Sequence, residues 1–75
     1  MSKELPKISA KAIITVLEVC GFILSRQSGS HKIYKNQNGK RTTVPFHGSK
    51  ILHPKVLKNI LIDADISLDE LKKLL

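Results

Sequence analysis

Three histidines, one cysteine and an unbroken stretch of cations are the groups in this 75-residue chain with chemistry beyond packing. His31, His47 and His53 carry imidazoles, whose unperturbed pKa of about 6.5 lets them take up and release protons near neutral pH. Structural zinc announces itself through closely spaced pairs of Cys and His; one Cys supplies no such pattern, and no metal is expected. Cys20 falls on the apolar stripe of a helix, which points to packing rather than nucleophilic chemistry. His53 stands directly before Pro54 and reads as helix-start chemistry. His47 follows Pro45 in a loop, where it can act as a second proton carrier or a phosphate contact, although loop packing weighs more. Tyr34 can stack on a base, but a tyrosine in a strand more often packs.

Charge placement is more telling than the net charge of +7. Between Val19 and Ile62 there is no Asp or Glu, while the same window holds Arg26, Lys32, Lys35, Lys40, Arg41, Lys50, Lys55 and Lys58. The acids sit outside it, at Glu4, Glu18, Asp63, Asp65, Asp69 and Glu70. An acid-free basic centre is the footprint of a polyanion, nucleic acid foremost. An acidic protein can use the same surface, and a merely solvated basic face is the plain alternative.

Composition excludes several classes. With no Trp, one Tyr and two Phe there is no broad stacking platform for single-stranded bases. A single Cys forms no internal disulfide, which fits a reducing cytosol, so a cytoplasmic protein is expected. No apolar run approaches the roughly 20 residues that cross a bilayer. Lys3 is not followed by the apolar core of an export signal. Nothing points to a small-molecule cofactor, and the length fits one domain over residues 1–75.

The elements that must position these groups follow from periodicity. Ser9 reads as an N-cap, and Ile13, Val16, Leu17 and Cys20 recur at helical spacing, so a helix is expected from about Ala10 to Cys20, ended by Gly21. Phe22–Gln27 reads as a strand with Phe22 and Leu24 on one face, Ser28-Gly29 as a tight connection, and Ser30–Lys35 as a second strand. Asn36-Gln37-Asn38-Gly39 supplies turn chemistry before a β-branched third strand, Lys40–Val44, which Pro45 is expected to end. After a loop from Phe46 to His53, Pro54 opens a second helix with Val56, Leu57, Ile60 and Leu61 on its apolar face. Ser67 and Glu70 form a capping box for a short last helix. The expected fold is α+β: a three-stranded antiparallel sheet with two helices on one face, in the order α-β-β-β-α, plus a short C-terminal helix.

That order is similar to the double-stranded RNA-binding domain. The segments Gly21-Phe22, Arg26-Gln27-Ser28-Gly29-Ser30-His31 and Thr43-Val44-Pro45-Phe46-His47, with the helix through Leu57 and Ile60, resemble the HicA toxin family over most of the chain. Two segments depart from that pattern. Ala10 stands where the family often has Gly, and Pro54-Lys55-Val56 where it often has Pro-Gly-Thr. The resemblance implies a ribosome-independent endoribonuclease that cleaves messenger RNA, stops growth and is neutralised by a HicB-like antitoxin. It also implies that His31, the His of Gly-Ser-His, is the catalytic residue. Candidates for RNA contact are Arg26, Gly29, Ser30, Lys32, Lys35, Arg41 and His47, although for Gly29 a turn that needs positive φ weighs more.

Two alternatives stand beside this reading. A non-catalytic binder of double-stranded RNA shares the fold, but such readers enter a minor groove with a longer first hairpin loop and carry a denser lysine cluster at the last major helix. An interaction protein with an acidic partner overlaps the enzyme reading, since an antitoxin can cover the same basic face. Strict alternation raises one difficulty: His31 shares a face with Ile33, so a core role for Ile33 would turn the imidazole inward.

Overall fold

The structure, a computed structural model, describes residues 5–47 and 49–75. Lys3, Glu4 and, within the loop, Gly48 lie outside them. The elements are α1 (Ala10–Val19), β1 (Ile23–Ser28), β2 (His31–Lys35), β3 (Arg41–Pro45), α2 (Pro54–Ala64) and α3 (Leu68–Leu74). This is the expected α-β-β-β-α order with its added short helix.

The helix ends carry their own capping chemistry. The Ser9 hydroxyl accepts from the Ala12 N–H at 3.1 Å. α1 stops at Val19, one residue earlier than its apolar stripe indicates, because the chain reverses there: the Phe22 N–H donates to the Leu17 carbonyl at 2.9 Å, with Gly21 at φ 90°. In α3 the capping box is complete. The Ser67 hydroxyl accepts from the Glu70 N–H, and the Glu70 carboxylate from the Ser67 N–H, both at 3.1 Å.

The sheet is antiparallel in the order β1-β2-β3. The β2–β3 connection, residues 36–40, is longer than a two-residue Asn-Gly turn, and Asn36 organises it: its side-chain oxygen accepts from the N–H of Asn38 at 3.1 Å and of Lys40 at 2.8 Å. Pro45 does not end β3 from outside, as its chemistry first indicates; it is the last strand residue and pairs with His31. β3 lies at a sheet edge, where a missing N–H is tolerated. The ladder then continues through Phe46, whose N–H donates to the Ser30 carbonyl at 2.6 Å.

Both main helices cover one face of the sheet and lie over β3 rather than centrally. The core comprises Ile13, Val16 and Leu17 of α1, Leu57, Ile60, Leu61 and Ala64 of α2, and Leu71 of α3, closed by Phe22, Tyr34 and Val44. Phe22 is buried just before β1, whereas Leu24, expected beside it, is 47% exposed. Every residue of β1 is exposed, since that strand lies beyond the cover of the helices.

Thr42 is 2% exposed, and its hydroxyl has no hydrogen-bond partner among the described residues. A buried hydroxyl without a partner costs stability that an isosteric apolar group would not. Thr42→Val is therefore expected to raise the unfolding free energy by about 1 kcal/mol, read as a higher urea midpoint at unchanged slope.

Candidate nucleic-acid interface and active site

Register decides which side chains share a face, because residues directly opposite in antiparallel strands project to the same side. Tyr34 is 3% exposed and points to the helices. Its partners Leu24 and Thr42 therefore share that side, as do Lys32 and its partners Gln27 and Val44. The other face carries three rows: Ser28, His31 and Pro45; Arg26, Ile33 and Thr43; and Ile23, Lys35 and Arg41. The core residue of β2 is thus Tyr34 and not Ile33, which is only half-buried on the open side. His31 is exposed there, and the difficulty raised by alternation disappears.

A β-bulge assembles this face. Leu24 pairs with Tyr34 and Arg26 with Ile33, leaving Ser25 as the extra residue. In an unbroken strand Leu24 and Arg26 would share a side; the bulge turns Arg26 and Ser28 onto the side of His31. No Gly or Pro marks the spot, so periodicity gave no warning of it.

Among the expected RNA contacts, Arg26, Lys35 and Arg41 lie on the open face with His31, and all three are exposed. Gly29 and Ser30 form the two-residue β1–β2 turn beside His31. Gly29 has φ 58°, strained for other residues, and nothing lies within 4 Å of where a Cβ would be. The turn geometry alone thus requires Gly here, and its backbone stays open to approach. Lys32 is not part of this group. It is on the helix side, with its ammonium 4.0 Å from the centre of the Phe46 ring.

His47 is exposed in the loop after β3 and, with Pro45, Lys50 and His53, lines a cavity of about 250 Å³. Pro45 also pairs with His31, so this cavity adjoins the end of the His31 row. His53 caps α2, its Nδ1 accepting from the Lys55 N–H at 3.1 Å. The cap of α2 thus comes from the residue just before the altered Pro54-Lys55-Val56 segment. Burial, then the Glu18 carboxylate, raise the Tyr34 phenol above its ordinary pKa, and this enclosed ring offers no surface for a base. Burial, then Glu70, likewise raise the Cys20 thiol, the reverse of what activates a nucleophile. Among the described residues, no three or more His, Cys, Asp or Glu side chains come together as a metal site. No helix among them is long and apolar enough to cross a membrane. A larger cavity of about 610 Å³ lies elsewhere, lined by Leu5, Pro6, Ile51, Leu52, Pro54 and two lysines, with no histidine or carboxylate in its lining.

These placements separate structural from surface roles. Lys32→Ala is expected to lower stability by about 0.5–1 kcal/mol through loss of the cation–π contact, and His53→Ala by about 1 kcal/mol through loss of the cap. Denaturant titration of the two variants checks both.

A family model described as HicA toxin of bacterial toxin-antitoxin matches residues 10–66, a span from the start of α1 to just beyond α2. No curated protein matches the chain.

Proposed function

This chain belongs to the HicA toxin family of bacterial toxin–antitoxin systems, and on that premise we propose that it is an endoribonuclease that cleaves messenger RNA with His31 as its proton carrier. The observation that carries the reading is one exposed imidazole on an acid-free sheet face that also bears Arg26, Lys35 and Arg41.

RNA brings its own nucleophile, the 2′ hydroxyl beside each phosphate. As the 2′ oxygen bonds to phosphorus, the bond to the 5′ oxygen breaks. One proton must leave the 2′ hydroxyl and one must reach the 5′ oxygen. An imidazole suits either transfer, and such a group contributes about 10²–10⁴-fold in rate. The guanidinium and ammonium groups of the same face stabilise charge developing on phosphorus and hold the strand. His47, next to the end of the His31 row, is the candidate for the second transfer. This route needs proton carriers and cations only.

The family implies a cognate antitoxin. A HicB-like partner neutralises this chain most directly by presenting carboxylates or a masking segment to the face that holds His31. The competing reading, a non-catalytic reader of double-stranded RNA, requires a first hairpin loop long enough to enter a groove; here that loop is Gly29-Ser30.

His31→Ala is expected to keep the fold and to lower RNA cleavage by at least about 10²-fold, with growth arrest lost on expression. Undiminished cleavage by the folded variant overturns the assignment. Replacing the 2′ hydroxyl of the cleaved nucleotide with hydrogen is expected to block scission at that linkage alone, checked by mapping the cuts on a synthetic RNA.

A further inference from the structure

Among the described residues nothing covers the open face of the sheet, and its pattern carries more than a general attraction for phosphate. Its rows are spaced by two residues along β2 and β3, roughly 7 Å, and its outer strands stand roughly 10 Å apart. His31 occupies the row at one end, beside the Gly29-Ser30 turn. The cations occupy the other two: Arg26 in the middle row, Lys35 and Arg41 in the far row. Charge therefore extends from the imidazole along the strands in one direction. Between these groups the middle row presents two uncharged side chains, half-buried Ile33 and exposed Thr43.

We propose that this face is the track for one extended RNA strand, with Arg26, Lys35 and Arg41 on the phosphates to one side of the scissile linkage and Thr43 reading the base next to it. The inference rests on the nuclease reading for the position of the scissile linkage, but not for the track. A face so narrow, with its cations within two rows of His31, reaches the backbone of one strand and does not span successive grooves of a duplex. With no Phe, Tyr or Trp in the nine positions of this face, a stacking platform is not the means of recognition. Ile33 offers an apolar floor to a base or ribose. The Thr43 hydroxyl can hydrogen-bond a base edge as donor or acceptor, so it favours a base that places a polar atom opposite it over one that does not.

The track is tested by the salt dependence of affinity for a 2′-O-methylated single-stranded oligonucleotide, which lacks the attacking hydroxyl. Each phosphate contact releases counterions, so Lys35→Ala and Arg41→Ala are each expected to reduce the slope of log affinity against log salt by about 1. Lys55→Ala and Lys58→Ala, on the exposed side of α2, are expected to leave it unchanged. The reverse pattern, with the slope carried by the α2 lysines, overturns the track, whatever His31→Ala does to cleavage. Recognition is tested by mapping cuts on one long unstructured RNA. Thr43→Val is expected to redistribute the base found beside the cut by roughly fivefold to tenfold, about the worth of one hydrogen bond. An unaltered distribution removes Thr43 as the reader. Active Thr43→Val with inactive His31→Ala then leaves the nuclease reading intact, whereas undiminished cleavage by His31→Ala overturns that reading and leaves the salt test of the track standing.

Discussion

Burial of Tyr34 is the constraint on which the arrangement of this protein depends. Its side chain enters the core with Val44 alongside it, under α1 and α2. In a strand, the side of every residue follows from the side of one, and a slip of one position would exchange all of them. Holding Tyr34 inside therefore keeps His31, Ile33 and Lys35 outside. The imidazole is exposed because a phenol three residues away is not.

The same register divides the cations between two tasks. Lys32 faces the helices and holds its ammonium over the Phe46 ring, tying β2 to the start of the loop. Arg26, Lys35 and Arg41 face outward, and Arg26 does so only because one extra residue at Ser25 shifts the phase of β1. A bulge near an edge re-aims side chains without breaking the sheet. Here it adds a guanidinium to the row next to His31 in a strand that takes almost no part in the core. β1 is thereby a strand whose exposed residues serve the surface.

The histidines are divided in a comparable way. His53 is consumed by the helix it starts, with one ring nitrogen occupied by the Lys55 N–H. His47 and His31 remain exposed on either side of Pro45. Core burial in a domain of this size rarely supplies more than about 3–5 kcal/mol, so caps at Ser9, His53 and Ser67 are a sizeable part of what holds the helices in place. A partner that binds only the folded form would add to this by mass action.

The amino-acid sequence was enough to read the element order, the caps at Ser9 and Ser67, the acid-free basic window and the HicA-like segments, since periodicity, capping chemistry and charge are local properties. It also pointed to structural roles for Cys20 and His53. It missed the position of Pro45 inside β3 and the exposure of Leu24. Those outcomes depend on which strand the helices cover, on strand order and on cross-strand pairing, none of which is encoded within a single segment. Whether His31 pointed inward or outward was undecidable from alternation alone, because Ile33 and Tyr34 are both apolar enough for the core. Packing chose Tyr34, and a bulge with no marker in the local sequence brought Arg26 round to join the imidazole.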